Sequence, residues 1–429
     1  MNSPKANPVV KDPWRASAFW RERVLRIAAT VTSRRAVTLA FFFALLVAAG
    51  TPMQAQYSVL YSFTGPDGAN PHAGVVRDLI GNLYGTTYNG GANGYGTVFA
   101  LTPSGTEKVL YSFTNGTDGA WPSTGLIRLD TFLFGTIQSS PNDPFGSFYK
   151  VFPTTGKFKL MYTFAGGTDG AWPVAAVVRD AGANNVYGTT SAGGVYGYGT
   201  IFHLPYPLTS ENVLYNFTGG TDGAYPEALF WTASGYLYGT TNRGGTTGCG
   251  GAGCGTVFKL DYNLLNETVL HTFTGAPDGA WPVAAMVQPW RGNFYGTTLN
   301  GGVAGGSCSD PNGCGTVFEV AADGTYNVIY RFTGGTDGVW PVGLVVGSNG
   351  NLFGTTYSGG LYGYGTIFEL KHSRKGWTEK VLYSFTGGAD GANPDAGLLY
   401  KKHHFYGTTY YGGNPNCSGG CGVVFELTP

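Results

Sequence analysis

Charged residues are scarce in this sequence of 429 residues: Lys, Arg, Asp and Glu make up 12%, and the 25 basic residues equal the 25 acidic ones. A disordered chain is rich in charge and poor in aromatic residues, so this low charge and an aromatic content of 15% exclude disorder for most of the length. The chain has no basic surplus to neutralise phosphates, which argues against a nucleic-acid partner. Its 71 glycines also disfavour helices, because each costs about 1 kcal/mol in a helix. What remains is a β-rich globular protein with many tight turns.

Common catalytic and metal-binding motifs are absent as well. The sequence contains no Gly-x-Ser-x-Gly elbow, no His-Glu-x-x-His and no phosphate-binding loop. Five of its six histidines, His203, His271, His372, His403 and His404, fall into no ligand spacing. An enzyme, if present, must therefore be recognised from its geometry.

The amino-terminal segment has the composition of an export signal. Residues 1–35 hold eight basic and two acidic residues, and the apolar run AVTLAFFFALLVAAG follows at 36–50. That run is shorter than the roughly 20 residues that span a membrane, and it fits a secretory signal peptide. We predict a signal peptide over 1–55, exported by the general route or, through Arg34 and Arg35, by the twin-arginine route. Its removal leaves a domain at 56–429 with six more acidic than basic residues and no membrane contact.

A unit of about 53 residues recurs seven times after this segment. A VLYSF-like motif stands at 59–63, 109–113, 160–164, 213–217, 269–273, 328–332 and 381–385. An Asp-Gly pair follows each copy, at Asp67, Asp118, Asp169, Asp222, Asp278, Asp337 and Asp390. The recurrence indicates a repeat architecture.

Each unit contains four short runs that are typical of strands, in the first unit 74–77, 82–87, 97–101 and 109–113. Four antiparallel strands per repeat of this length favour a β-propeller blade over a β-solenoid, whose coils are usually about half as long. The series opens with one strand at 59–63 and ends after a third strand at 423–427. We predict an all-β, seven-bladed β-propeller of 28 strands, closed by the N-terminal strand completing the last blade, which removes an exposed edge.

The repeat resembles a known family. The string NLYGTTYNGGANGYGTVF at 82–99 is similar to the Gloeo/Verruco (GloVer) tandem repeat, as are LYGTT at 237–241 with GTVF at 255–258 and LFGTT at 352–356 with GTIF at 365–368. The resemblance covers nearly all of 57–429 and implies an exported bacterial protein, with no established catalytic residues to carry over. Members often end in a sorting or anchoring segment, whereas this sequence ends at Pro429. We therefore expect a secreted or periplasmic protein.

Six cysteines form three close pairs, Cys249/Cys254, Cys308/Cys314 and Cys417/Cys421. Each pair lies between the second and third strands of its repeat, and its second member takes a position held by tyrosine in other copies, such as Tyr95. In an exported chain we interpret them as loop disulfides. Zinc is the alternative, although it needs four ligands and no second pair lies nearby in sequence.

The seven Asp-Gly pairs are the most regular polar feature. An Asp before Gly bonds its own backbone and sets a turn, which is the structural interpretation. A ring of carboxylates binding calcium is the alternative, but calcium needs six to eight oxygens and each loop offers one carboxylate. We expect no cofactor, with calcium as the exception.

Two loop positions supply candidate ligand-binding residues. An aromatic residue follows the Asp-Gly pair at Trp121, Trp172, Tyr225, Trp281 and Trp340, where it could stack on sugar rings or pack between blades. The residue after the next proline varies, and it should lie at the channel mouth. Its polar members His72, Glu227 and Asp395 are our candidates for a ligand site, and chance variation is the alternative.

Three functional hypotheses remain open. The first is an exported, non-catalytic binding protein, a monomer that holds a glycan or protein partner on one loop face. The second is an extracytoplasmic polysaccharide lyase or hydrolase with Glu227 and Asp395 at the channel mouth. The third is a structural envelope protein, since a fold alone does not decide function.

Overall fold

The chain folds as seven antiparallel sheets, one for each repeat, of which six have four strands and one has five because its innermost strand is split in two. The computed structural model describes residues 55–429 except 181, 183, 290, 291, 306, 307, 309 and 310, so the predicted signal peptide up to residue 54 lies outside the described residues. Within each sheet the strands follow in chain order from the innermost strand outward, except that the outermost strand of the last sheet is the first strand of the chain. The fold is therefore the predicted all-β, seven-bladed β-propeller.

The strands are numbered in chain order and grouped by blade. Blade 1 contains β2 (Val76–Arg77), β3 (Leu83–Thr87), β4 (Thr97–Leu101) and β5 (Glu107–Ser112), and blade 2 contains β6 (Ile127–Leu129), β7 (Phe132–Ile137), β8 (Ser147–Val151) and β9 (Phe158–Thr163). Blade 3 contains β10 (Ala171–Pro173), β11 (Val178–Arg179), β12 (Val186–Ala192), β13 (Thr200–Leu204) and β14 (Asn212–Asn216). Blade 4 contains β15 (Ala224–Trp231), β16 (Tyr236–Arg243), β17 (Thr256–Asp261) and β18 (Asn266–Thr272), and blade 5 contains β19 (Gly279–Pro282), β20 (Phe294–Gly301), β21 (Thr316–Val320) and β22 (Tyr326–Arg331). Blade 6 contains β23 (Val339–Val346), β24 (Leu352–Ser358), β25 (Thr366–Ser373) and β26 (Gly376–Ser384), and blade 7 contains β27 (Leu399–Lys401), β28 (His404–Thr409), β29 (Val423–Thr428) and β1 (Gln56–Ser62). Two single-turn 3-10 helices, Gly167–Asp169 and Cys249–Gly251, lie in the loops.

The ring closes as the sequence predicts. Strand β1 pairs antiparallel with β29, with Tyr57 opposite Leu427 and Val59 opposite Phe425. The pairing completes blade 7 with a strand from the other end of the domain, so the outer edge of β29 is covered.

Blade 3 departs from the predicted count of 28 strands, because its innermost strand is split. Both β10 and β11 pair with β12, and residues 174–177 between them leave the ladder. The described chain therefore has 29 strands. The interruption falls where the chain passes the central channel, and it leaves the blade order unchanged.

An aromatic pair lies at every blade interface. The phenylalanine that ends each VLYSF-like motif is buried and meets, edge to face, a ring on the third strand of the next blade. Phe63 and Phe99 form such a pair, with ring centroids 5.1 Å apart, and Phe113 meets Tyr149 at 5.5 Å. This third-strand ring also packs directly against the glycine of the LYGTT-type motif. In blade 3, for example, a Cβ built at Gly188 would lie 2.4 Å from the ring of Phe202. This explains why the motif requires glycine at that position.

Consecutive blades are also joined by one repeated backbone hydrogen bond. The residue before the proline that recurs in every unit donates its N–H to a carbonyl in the loop between the second and third strands of the preceding blade, as Trp121 does to Tyr95 at 2.9 Å. At the closure Asn70 donates to Cys421 at 2.8 Å. We call this contact the blade joint; its seven donors are Asn70, Trp121, Trp172, Tyr225, Trp281, Trp340 and Asn393, and its acceptors are Cys421, Tyr95, Phe145, Tyr198, Cys254, Cys314 and Tyr364.

All seven donors have left-handed backbone, with φ between 54° and 61°. Left-handed backbone is uncommon for bulky residues and costs about 1–2 kcal/mol per residue. The hydrogen bond and the packing around each donor must therefore offset this cost. A glycine directly after the acceptor leaves room for the proline of the next blade. At Gly199, where φ is +97°, a Cβ would lie 2.6 Å from Pro226 and 2.3 Å from the carbonyl oxygen of Thr190.

The blade joint predicts a matched pair of glycine variants. Gly199→Ala should lower the free energy of unfolding by about 2 kcal/mol or more, because it combines left-handed strain with a backbone clash. Gly197→Ala, in the same loop with φ +84° and no atom within 4 Å of its Cβ, should cost only the backbone strain of about 1 kcal/mol. Urea unfolding measures both, and equal losses would contradict a steric role for the joint.

Four blade interfaces bury a glutamate beside the aspartate of an Asp-Gly turn. Glu211 lies against Asp169, which accepts a hydrogen bond from the hydroxyl of Tyr162, and one carboxyl oxygen of Glu211 is buried without a partner. Burial, reinforced by the neighbouring aspartate, raises the pKa of Glu211 to about 8 and that of each of the other three to about 7. The four pairs are Glu107 with Asp67, Glu211 with Asp169, Glu267 with Asp222, and Glu379 with Asp337.

These glutamates predict that the domain loses stability as pH rises. A carboxyl group whose pKa is raised by folding contributes stability that is fully present below its unfolded pKa of about 4.5 and is lost as pH rises through 7 to 8. We expect a lower melting temperature at about pH 8.5 than at about pH 5. The double variant Glu211→Gln and Glu267→Gln should flatten this dependence, whereas Asp130→Asn, at an exposed turn, should leave it unchanged. An equally steep profile in the double variant would contradict the assignment.

Candidate functional site

All seven residues that follow the recurring prolines line one central cavity. The cavity has a volume of about 740 Å³, and each blade contributes one of these residues. They are His72, Ser123, Val174, Glu227, Val283, Val342 and Asp395. The structure therefore brings the candidates His72, Glu227 and Asp395 together at the channel mouth.

Small residues keep the channel open below this ring. The chain continues through alanine, glycine or threonine, for example Ala175 and Ala176 in blade 3 and Ala284 and Ala285 in blade 5. The inner strands are held by threonines of the neighbouring blade: the hydroxyl of Thr189 donates to the carbonyl of Glu227 at 2.5 Å. The channel wall thus has a fixed backbone and little side-chain bulk.

His72 and Asp395, from blades 1 and 7, contact each other across the closure of the ring. The Nε2 atom of His72 lies 3.1 Å from Oδ2 of Asp395, and their side chains are 40% and 24% exposed. Burial raises the pKa of Asp395, and the nearby imidazole opposes that rise. The other oxygen, Oδ1, receives no hydrogen bond from the residues that the structure describes.

A second chamber of about 480 Å³ shares six lining residues with the central cavity and extends toward the loop face. Its wall contains the tyrosines Tyr88, Tyr357, Tyr410 and Tyr411. The ring of His72 lies 5.8 Å from that of Tyr410 and 6.0 Å from that of Tyr88. Burial, together with the adjoining Tyr411, raises the pKa of Tyr410 to about 12, so its hydroxyl stays protonated and can donate.

Reasoning from the sequence missed this tyrosine wall. Tyr88, Tyr357 and Tyr410 follow the LYGTT-type motif in blades 1, 6 and 7, where other blades have residues such as Gln138 and Leu299. Their shared motif position was a usable signal. We refer to Tyr88, Tyr357, Tyr410, His72 and Asp395 as the tyrosine sector.

Glu227 faces the tyrosine sector from blade 4. Its side chain is half-buried and makes no hydrogen bond with the described residues. Burial raises its pKa to about 8, and the opposing charge of Arg243 does not offset that rise. The Arg243 guanidinium lies 4.2 Å from the ring centre of Trp281, which also lines the cavity. Glu227 is therefore largely protonated near neutral pH.

The five candidate aromatic residues surround the mouth in different ways. Trp281 and Trp340 line the central cavity. Trp172 and Tyr225 lie outside it, exposed by 46% and 41%, and Trp121 packs on Tyr95 with ring centroids 5.8 Å apart. All five residues donate the blade-joint hydrogen bond through their backbone N–H. Their side chains therefore start from equivalent positions, but some pack on neighbouring rings while others are partly exposed to solvent.

The Asp-Gly carboxylates are engaged by their own turns. Asp118 accepts hydrogen bonds from the N–H of Thr114 at 2.8 Å and the hydroxyl of Tyr111 at 2.9 Å, and Asp337 repeats this pattern. This arrangement matches the structural interpretation of the motif. No group of three or more His, Cys, Asp or Glu side chains suited to a metal ion occurs in the described part of the chain, and calcium binding stays a prediction.

The three predicted disulfides are formed, Cys249–Cys254, Cys308–Cys314 and Cys417–Cys421. The second cysteine of each pair provides the joint carbonyl that Tyr95, Tyr198 and Tyr364 provide elsewhere. The disulfide thus secures a loop whose backbone must meet the next blade.

A scan against family models decides the family. The Gloeobacter/Verrucomicrobia repeat matches residues 46–252, 167–308 and 250–429. The chain belongs to the Gloeobacter/Verrucomicrobia repeat family. A search of curated proteins finds no match to it. Within the residues described, this repeat protein has no helix that is long and apolar enough to cross a membrane.

Solved structures similar to this Gloeobacter/Verrucomicrobia repeat protein share its fold at low sequence identity. The extracellular domain of a protein assigned as a one-component system from B. thetaiotaomicron has a TM-score of 0.53 at 8% identity, with 87% of this chain covered and 40% of that chain. An oligogalacturonate lyase in complex with manganese and an oligogalacturonate lyase from Vibrio parahaemolyticus each have a TM-score of 0.52 at 8% identity, covering 88% of this chain and 97% of theirs. At such identity these similarities show the fold alone.

Proposed function

We propose that this protein is an exported, non-catalytic glycan-binding propeller whose ligand enters the channel mouth. The observation that carries the proposal is the convergence of the seven post-proline residues on one cavity of about 740 Å³. Ligand pockets commonly measure about 300–1,000 Å³ and combine apolar walls with a few polar groups. Here alanines and valines form the wall, and His72, Glu227 and Asp395 supply the polar groups.

The aromatic surroundings favour a sugar. Indole and phenol rings offer a flat apolar face together with a polar edge, which suits the alternating apolar and hydroxyl surfaces of a pyranose. Trp281 and Trp340 offer such faces inside the cavity, and Trp172 and Tyr225 offer them on the rim. A chain of several sugars could therefore cross the rim and end in the channel.

Export is supported by the cysteine chemistry. Disulfides form and persist in oxidising compartments and are rare in the cytosol, and every cysteine of the described chain is paired. A secreted or periplasmic location agrees with the signal predicted at the amino terminus.

Asparagine variants test the binding site without disturbing the blade joint. Blades 1 and 7 carry Asn70 and Asn393 as joint donors, so Trp281→Asn and Trp340→Asn keep a residue that tolerates left-handed backbone. We expect the mature protein to bind one class of glycan on an array, and each variant to lose about tenfold in affinity, equal to 1.4 kcal/mol. Leu264→Ala, at an exposed turn between β17 and β18, is the control and should bind normally. Unchanged binding by both Asn variants would remove the proposed site.

A second candidate function is glycan cleavage, and the raised pKa of Glu227 favours it. A carboxyl group protonated near neutral pH can act as a general acid, and Asp395 offers a second carboxyl group on the far side of the cavity. Incubation of the bound glycan with the protein, followed by a reducing-end assay, tests this. The non-catalytic proposal expects no turnover; turnover that falls in Glu227→Gln and Asp395→Asn would replace it with an enzyme.

A further inference from the structure

We infer that the tyrosine sector binds a protonated amino group, so that the preferred glycan carries free amino sugars. This inference rests on the proposed function and names the ligand class of the same cavity. Three observations support it: the charges of the lining, the placement of the tyrosines, and the free oxygen of Asp395.

The charge of the lining disfavours an anionic ligand. Among the described residues, the lining of both chambers includes Asp395, the largely protonated Glu227 and the imidazole of His72, but no lysine or arginine; Arg243, beside Glu227, lies outside the lining. A carboxylate in a cleft with low-dielectric walls attracts cations and repels anions. A uronic acid would bring a like charge toward Asp395, whereas an ammonium group would meet an opposite charge.

The tyrosines gather in one part of the ring. Blades 6, 7 and 1 are consecutive around the closure, and each places a tyrosine directly after its LYGTT-type motif, at Tyr357, Tyr410 and Tyr88. All three line the second chamber beside Asp395. Aromatic faces attract an ammonium ion by about 0.5–2 kcal/mol each, depending on how far the site is desolvated. Several rings around one carboxylate therefore favour a cation that also has apolar surface.

Asp395 has one oxygen available for such a group. His72 occupies Oδ2 at 3.1 Å, and no described residue donates to Oδ1. An ammonium group needs several acceptors, which Oδ1 and the tyrosine hydroxyls can supply. A bare metal ion is less suitable, since calcium requires six to eight oxygen ligands and the chamber offers few carboxylates.

Isothermal titration of the mature protein with three tetrasaccharides tests the inference. The probes are the glucosamine tetramer, the N-acetylglucosamine tetramer and the galacturonic acid tetramer. We expect the glucosamine tetramer to bind at least about tenfold more tightly than the acetylated one, and the acidic one to bind most weakly. Equal affinity for the first two would overturn the amine site while leaving glycan binding intact. Failure of all three to bind would also overturn it, and the glycan array with the Trp281→Asn and Trp340→Asn variants judges the proposed function separately.

Charge variants at one residue sharpen the test. His72→Arg places a permanent cation beside Asp395 and should abolish the preference for glucosamine, whereas His72→Gln puts a neutral hydrogen-bonding group there and should preserve it. Tyr357→Leu, which copies Leu299 at the equivalent position of blade 5, should weaken glucosamine binding several-fold, and Leu264→Ala, at an exposed turn outside the cavity, should not. Melting curves establish that each variant is folded. A preference retained in folded His72→Arg would refute the inference.

Discussion

Each blade of this propeller is attached to the preceding one by a hydrogen bond between backbone atoms. The donor has left-handed backbone, and the acceptor lies in a loop that ends in a glycine shaped to admit the next proline. Because main-chain atoms make the bond, the side chains at both ends are free to differ. Tryptophan, tyrosine and asparagine all donate, and tyrosine, phenylalanine and cysteine all accept. An even ring can thus be built from repeats whose loops differ in length and composition.

The candidate site depends on the same contact. The channel-facing residue is two positions after the joint donor, separated from it only by the proline, so the joint holds all seven channel residues at one level. At the seven channel positions the backbone conformation repeats from blade to blade, whereas the side chains differ. His72 and Asp395 meet because blades 1 and 7 are neighbours in the closed ring, although they are far apart in sequence. The chemistry of the mouth is therefore a product of ring closure.

Much of the architecture could be predicted from the sequence, because motifs that recur at a regular spacing reveal the length and number of the structural units. The recurrence of the VLYSF-like motif predicted seven blades, the unpaired strands at 59–63 and 423–427 predicted closure, and the cysteine spacing predicted three disulfides; all three predictions are confirmed. The position after each proline predicted the channel lining. The role of His72, Glu227 and Asp395 in ligand binding stays a prediction.

Features that arise between blades could not be predicted in this way. Glu211 meets Asp169 only because the outer strand of blade 3 lies against the turn after blade 2, and no property of a single repeat specifies that register. The left-handed backbone of Trp281 is equally hidden, since tryptophan rarely adopts it. The split inner strand of blade 3 likewise reflects local geometry near the channel.

The pairing of β1 with β29 also sets an order of events for a newly made chain. Strand β1 emerges first from the ribosome, and its partner emerges last, so six blades can form before the circle is complete. Contacts between distant parts of a chain form slowly, because the entropy of closing a large loop is lost before the contacts contribute any stabilisation. Until then β1 has no partner and the seventh blade lacks its outermost strand. Chaperones or translocation machinery that shield this early segment would therefore matter throughout the interval between the emergence of β1 and that of β29.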